Sequence, residues 1–261
     1  MTRLILLMCL GALVSGCATG PNEVDPFEPM NRKMYAFNNA VDKAYLKPIA
    51  TGYRNIMPQP ARTGVTNFFR NLGVIVTALN NTLQFKLDRT AVDVMRFSSN
   101  LVFGMGGLID IATYAGIPHH QEDLGQTLGY WGVNSGPYIV LPFFGPSTVR
   151  DGLALPVDIY VSPAYDAIGE GRVRWGLLIT YAIDTRANLL DAETFLEQAA
   201  LDRYSFIRDT YLQRREFLIR DGAPVPLEQD GDSGRPKSLL ELEAEEFGDD
   251  PLMDDYEPLP E

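Results

Sequence analysis

The stretch FSSNLVFGMGGLIDIATYAGIPHHQEDLGQTLGYWGVNSGPYIVLPFFGPSTV, residues 97–149, differs most clearly from an ordinary globular chain. Its only formal charges are Asp110, Glu122 and Asp123, whereas soluble globular chains carry a charge at about one position in four. Glycines and prolines interrupt it too often for a spanning helix, which needs about 20 consecutive apolar residues. We therefore expect broken pieces that are deeply buried or lie beside lipid. Irregular backbone at membrane depth must be covered by protein or line a wet cavity.

Within this stretch, residues 101–116 read as short helices joined at glycine, and residues 138–141 are the best candidate for a strand. Gly104, Gly106 and Gly107 resemble a phosphate loop only in their glycines, because no Lys-Ser/Thr pair follows, so they favour close helix packing. His119 and His120, with Glu122 and Asp123 nearby, would suit either a metal site or a polar loop, and we favour the loop.

Helical periodicity is found on both sides of this stretch. Towards the N-terminus, Met30, Met34, Phe37, Val41 and Tyr45 recur at steps of three and four, which predicts an apolar helix face. This stripe faces either the membrane interface or the protein core, and we expect Pro48 to end the helix. Further helices are predicted at 65–83, from an N-cap at Asp88 to residue 101, and at 185–200 and 202–220. Residues 173–183 are either an apolar helix or a buried segment. The predicted class is therefore all-α, with at most a short β-hairpin.

The N-terminus has the pattern of a secretory signal, with Arg3, an apolar run over 4–13, and the small residues Ser15 and Gly16. Cys17 follows directly, as in bacterial lipoprotein signals, where the thiol is acylated, residues 1–16 are removed and the cysteine becomes the first residue. The alternative is an ordinary signal peptide with an incidental cysteine. Ala18 resembles the outer-membrane sorting pattern, and residues 17–25 form a lipidated tether. Because Cys9 leaves with the signal, no thiol remains for a disulfide or a metal site.

The formal net charge of −12 lies almost wholly in the tail 222–261, where thirteen acidic residues stand against two basic ones. This composition predicts a disordered tail. The body at 26–221 is nearly neutral and has no basic stripe for nucleic acid. No catalytic motif is present either, which favours a protein that is not an enzyme and needs no cofactor.

Several motifs in one order resemble the MlaA/VacJ family of lipoproteins over residues 25–222. They are DPFEPMNR (25–32), MPQPAR (57–62), GMGGLID (104–110), GQTLG (125–129), GPYIVLP (136–142), GPSTVRD (145–151) and TRANLLD (185–191). The acidic tail departs from the pattern. The resemblance implies a mostly helical, ring-like protein embedded in the periplasmic leaflet of the outer membrane beside a trimeric porin. It also implies that mislocalised phospholipids pass through a central amphipathic channel to a soluble periplasmic carrier, which maintains lipid asymmetry. An envelope phospholipase and a lipoprotein that only braces the porin are the competing functions.

If a lipid path exists, the segment 121–132 is our candidate for its wet mouth. Glu122 and Asp123 would be expensive in hydrocarbon, and glycines give a loop freedom to move. We therefore expect a loop that lines or gates the path, hinged at the Gly104–Gly107 turn; a static surface loop is the alternative. The candidate residues of the lining or gating loop are Glu122, Asp123, Leu124, Gly125 and Gly129.

Overall fold

A computed structural model describes residues 24–162, 171–193 and 202–223, all within one compact unit. Cys17, the acidic tail and the end of the helix predicted at 185–200 lie outside these ranges. The described part is mostly helical with one short antiparallel hairpin, so the predicted fold class is confirmed. None of its helices has the length and apolar character needed to cross a membrane. The elements are α1 Glu28–Val41, α2 Lys47–Ile56, α3 Gln59–Leu83, α4 Leu87–Val102, α5 Ile111–Tyr114, α6 Leu124–Tyr130, β1 Tyr138–Leu141, β2 Gly145–Thr148, α7 Val149–Val161, α8 Gly171–Asn188 and α9 Arg203–Ile219.

The predicted end of the first helix at Pro48 is wrong, because α1 continues into α2 through a π-helical turn, Asp42–Leu46. In this turn the Lys47 N–H donates to the Asp42 carbonyl, five residues earlier. The wider turn places Pro48 in the first turn of α2, where a missing N–H costs little. The predicted N-cap at Asp88 is also wrong. Helix α4 begins one residue earlier, and Asp88 lies in its first turn, where a negative charge suits the helix dipole.

The interior of the described part is unusually polar. Apart from glycine, eighteen polar or charged residues are buried, against nine hydrophobic ones. Many of the polar ones lie where α3 packs on α4, for example Asn81, whose amide donates to the Asp93 carboxylate over 2.7 Å. Soluble proteins bury chiefly apolar residues and keep charged ones outside unless they are paired. Burial of so many polar groups requires hydrogen-bonded networks like this one.

Two asparagines on α1 attach this helix to the hairpin, in which Tyr138 pairs with Thr148 and Leu141 with Gly145. The Asn31 amide donates to the Tyr138 carbonyl over 3.0 Å and accepts from the Val140 N–H over 2.9 Å. One heptad later, Asn38 makes the equivalent pair of bonds to Leu141 and Phe143, over 2.8 and 2.9 Å. The polar face of α1 therefore points into the protein.

The apolar stripe of α1 consequently does not lie in the core as a whole. Met30 and Phe37 are 48% and 46% exposed, and Tyr45 beyond them is 68% exposed. Met34 is the exception, since it packs against the small core formed by Tyr138, Val140 and Tyr204. Val41 is half-buried. The structure thus disfavours the interpretation of this stripe as a core face, and Met30 and Phe37 are available for contact outside the protein.

Candidate functional site

An open cavity of about 600 Å³ lies between α3, α8, α9 and the segment that leads into α6. Each long helix lines it with residues three or four positions apart, as one helix face must. Helix α3 contributes the stripe from Thr66 to Thr77, and α9 contributes the stripe from Tyr211 to Leu218. The wall mixes charged side chains with apolar ones such as Phe69. The cavity can therefore accommodate a molecule that is polar at one end and apolar at the other.

Glu122 and Asp123, which the sequence predicts at a wet mouth, both line this cavity. Glu122 is buried, accepts from Gln84 Nε2 over 3.0 Å and lies 3.5 Å from the Lys86 ammonium. Burial raises the pKa of Glu122, although Gln84 and Lys86 act in the opposite direction. Both carboxylates therefore have partners within the protein, and a gating role for this segment stays a prediction.

Asp123 is the N-cap of α6, accepting from the Gln126 N–H over 2.8 Å, and it receives two hydrogen bonds from Arg215, of 2.5 and 2.9 Å. Burial alone would raise the pKa of Asp123, but the hydrogen bonds and charge of Arg215 outweigh it and lower the pKa. The Leu124 N–H donates to both carboxylate oxygens of Asp158, over 3.1 and 3.0 Å. Burial raises the pKa of Asp158 to about 6.

The prediction of a loop over 121–132 is wrong for Leu124–Tyr130, which form helix α6. Its glycines permit close packing. A Cβ at Gly125 would lie 2.5 Å from Asp151 Oδ1, and one at Gly129 would lie 2.8 Å from both Arg150 and Ile219. Sequence reasoning interpreted the glycines as freedom to move, because the side chains that approach them come from distant parts of the chain. The Gly-x-x-x-Gly spacing alone does not distinguish a flexible segment from a closely packed helix.

The packing predicted for the Gly104–Gly107 turn is confirmed. A Cβ at Gly104 would lie 2.1 Å from the Ile109 carbonyl oxygen, and one at Gly107 would lie 2.8 Å from the Asn71 amide nitrogen. Gly107 also has a φ of +94°, which side chains rarely adopt. Gly106 shares the left-handed conformation but has open space around it. A hinge at this turn stays a prediction.

The two histidine side chains do not point to one shared site. His120 Nδ1 lies 2.8 Å from Asp93 Oδ1, whereas His119 faces the cavity. Within the described ranges, no group of three or more His, Cys, Asp or Glu side chains is arranged to hold a metal ion. His120 is therefore part of the polar interior between α4 and the cavity wall.

Sequence reasoning missed most of the cavity wall. Gly73, Arg70, Asp184 and Arg215 all line it, on three different helices. The carboxylate of Asp184 is held by the Tyr53 and Thr66 hydroxyls, at 3.1 and 2.8 Å, which ties α2 and α3 to α8. The polar positions among the apolar residues of helix α3 were the one feature of the sequence that could have indicated a cavity wall. They could not show which helices they would meet.

The described part is thus an α-helical body with an open amphipathic cavity, buried polar groups and exposed apolar side chains. The chain belongs to the MlaA lipoprotein family, whose family model matches residues 23–218. The resemblance noted in the sequence is thereby confirmed.

Three of the relatives are named for phospholipid transport. The "Intermembrane phospholipid transport system lipoprotein MlaA" of Escherichia coli K12 and that of Shigella flexneri are each 35% identical to this chain over 252 residues, covering 93% of it and 99% of the relative. The Haemophilus influenzae protein of the same name is 34% identical, over 86% and 93%. A solved structure, described as "Structural basis for maintenance of bacterial outer membrane lipid asymmetry", matches with a TM-score of 0.64 and 35% identity, covering 75% of this chain and 98% of that one.

Proposed function

We propose that this protein is an outer-membrane lipoprotein that takes mislocalised phospholipids from the outer leaflet and passes them through its cavity to a soluble periplasmic carrier. In this proposal Cys17 is acylated, the body is embedded in the periplasmic leaflet, and a trimeric porin lies beside it. The observation that carries the proposal is the amphipathic cavity inside a body with an apolar exterior. A phospholipid has a charged head and apolar tails, so its path must offer both kinds of wall.

The exterior supports a location in lipid. Ile56, Phe85 and Tyr114 are each more than 80% exposed. Phe85, Met105 and Phe143 also adopt positive φ, between 53° and 65°, in turns that leave their apolar side chains exposed. Bulky residues adopt this conformation only under constraint, and exposed apolar patches mark membrane or protein contacts. Contact with acyl chains would stabilise these side chains.

The outward stripe of α1 gives a test of embedding. Replacing Phe37 with Asp is expected to reduce photocrosslinking of lipid from a probe at Met30, since a carboxylate at bilayer depth costs about 2.5–3.5 kcal/mol. Phe37 is suitable because it is exposed and packs edge-to-face on Phe143, at a centroid distance of 5.6 Å. Asn39→Asp, which adds the same charge on the opposite side of the helix, is the control. Unchanged crosslinking from Phe37→Asp would contradict embedding of α1.

The cavity itself is tested by filling it. Gly73 lies on the cavity wall, and a Cβ there would meet open space. Gly73→Trp is therefore expected to slow transfer of intact fluorescent phospholipid between vesicles and carrier by about tenfold or more, without loss of thermal stability. Gly176→Trp on α8 is the matched control, because Gly176 also has open space around it but does not line the cavity.

The same assay separates the competing functions. A phospholipase would release lysophospholipid or fatty acid from the labelled lipid, and a lipoprotein that only braces the porin would leave it in place. Phospholipid transfer by Gly73→Trp at the wild-type rate would contradict the proposal that lipid passes through this cavity. In our proposal Glu122 and Asp123 line the path, whereas Leu124, Gly125 and Gly129 belong to helix α6 and lie outside the cavity lining.

A further inference from the structure

The charges around the cavity differ in their partners, and the Asp184 carboxylate is held by the Tyr53 and Thr66 hydroxyls. Most are neutralised within the protein: Arg215 pairs with Asp123 and Asp151, and Lys86 lies beside Glu122. Arg70 and Arg214 differ. Both line the cavity, and neither has a carboxylate within 4 Å among the described residues. The one hydrogen bond of Arg214 there, to Gln121 Oε1, is 3.5 Å long. These two guanidiniums are available for a ligand.

Both arginines act on the same short segment of the wall. Arg214 reaches Gln121, and Arg70 lines the same cavity as Gln121 and His119. They come from opposite helices: Arg70 lies on the α3 stripe between Thr66 and Gly73, and Arg214 lies on the α9 stripe between Tyr211 and Leu218. Two positive charges that line one cavity without carboxylate partners repel each other, and an anion bound by both would reduce that repulsion.

The chemistry of the site points to phosphate. Guanidinium groups bind phosphate oxygens through two parallel hydrogen bonds and do so better than a point charge does. Apolar residues of the wall flank each arginine: Phe69 precedes Arg70, and Leu218 lies one turn after Arg214. An anion with apolar chains attached suits this arrangement better than a free ion, which would gain nothing from the apolar wall.

We propose, building on the function above, that Arg70 and Arg214 form a headgroup subsite that binds the phosphate of a phospholipid within the cavity. The subsite selects for a phosphodiester and against lipids of similar apolar size that lack one. It also orients the lipid, with its headgroup at the segment 119–121 and its acyl chains along the apolar wall.

The test compares uptake from vesicles doped with fluorescent phosphatidylglycerol, phosphatidylethanolamine or diacylglycerol, using the lipidated protein. Wild type is expected to take up both phospholipids at least about tenfold better than diacylglycerol, a difference of about 1.4 kcal/mol. The double variant Arg70→Gln, Arg214→Gln is expected to lose this preference. The control is Lys33→Gln with Arg172→Gln, which removes the same charge from exposed residues outside the cavity wall.

Histidine NMR gives a readout that does not depend on transfer. The chain has two histidines, His119 and His120. Desolvation first, then repulsion from Arg96 and Arg70, lowers the pKa of His119. A bound phosphate would offset the repulsion from Arg70, so short-chain phosphatidylglycerol should raise the pKa of His119 in wild type and leave it unchanged in the double variant.

The possible results distinguish the headgroup subsite from the proposed transport function. Uptake by the double variant equal to wild type, with the same lipid preference, would overturn the subsite and leave the transport function standing. Wild-type protein that takes up no phospholipid would refute the function and the subsite together. A His119 pKa that rises with inorganic phosphate, while uptake is unaffected by the double substitution, would identify a free-anion site and overturn the lipid assignment.

Discussion

Arg215→Met is expected to lower the free energy of unfolding by about 3 kcal/mol, since removing one partner from a buried ion-pair network leaves charges without compensation. The Arg215 side chain is only 12% exposed and serves two carboxylates. It donates two hydrogen bonds to Asp123, and its Nε lies 2.9 Å from Asp151 Oδ2. Asp123 caps α6 and Asp151 lies in α7, so the loss would loosen α9 from both helices.

The pH dependence of this effect follows from the same pairs. Burial raises the pKa of Asp151, but Arg215 outweighs it, so the pKa values of Asp151 and Asp123 are both lowered in the folded state. A carboxyl with a lowered pKa contributes stability above its unfolded pKa, about 4, and loses it as the pH falls through the folded value. The loss in free energy of unfolding caused by Arg215→Met should therefore be complete at pH 7 and become smaller below about pH 4.

Urea denaturation in detergent, followed by circular dichroism, measures this difference. The neighbouring Arg214→Met is the control. Arg214 is exposed and has no ion pair among the described residues, so its replacement should change stability by no more than about 0.5 kcal/mol. Equal losses for the two substitutions would show that Arg215 contributes through packing of its stem alone.

Cys17→Ser is expected to abolish incorporation of labelled palmitate and to leave the signal, residues 1–16, attached to the protein. A serine hydroxyl does not replace the thiol that receives the lipid. Each buried methylene of an acyl chain contributes about 0.8 kcal/mol, so loss of the chains removes most of the anchoring free energy. Mass spectrometry of membrane fractions would show both changes.

The second cysteine of the chain supplies the control. Cys9 lies in the apolar run of the signal, so Cys9→Ser should leave acylation and cleavage unchanged. Palmitate label on the Cys17→Ser protein would contradict the proposed anchor. Cleavage of Cys17→Ser at the same peptide bond would instead support an ordinary signal peptide with an incidental cysteine.

The sequence by itself determined the helical class, most of the helices and the family. Each depends on local order: apolar steps of three and four predict helices, and the ordered motifs from DPFEPMNR to TRANLLD identified the family. Low charge over 97–149, broken by glycine and proline, correctly excluded a spanning helix there. The signal predicted before Cys17 also depends on a local pattern, and it stays a prediction.

Local patterns failed where a distant partner decided the outcome. Pro48 does not end its helix, because a π turn upstream accommodates the missing N–H. Gly125 and Gly129 indicated flexibility, yet Asp151, Arg150 and Ile219 approach within 2.8 Å of where a Cβ would lie, so a side chain there would require these neighbours to move.

Only the tertiary structure decided which face of each helix points inwards. Periodicity shows that Met30 and Phe37 share a face of α1, but it does not say whether that face is buried. The answer came from Asn31 and Asn38, whose amides bind the hairpin backbone more than 100 residues later. Where acyl chains and water compete for the exterior, an apolar stripe no longer identifies the core, because lipid stabilises it as well as protein does. Arg70 and Arg214 became a candidate site for the same reason: helices far apart in the chain bring them to one cavity, where neither has a carboxylate within 4 Å among the described residues.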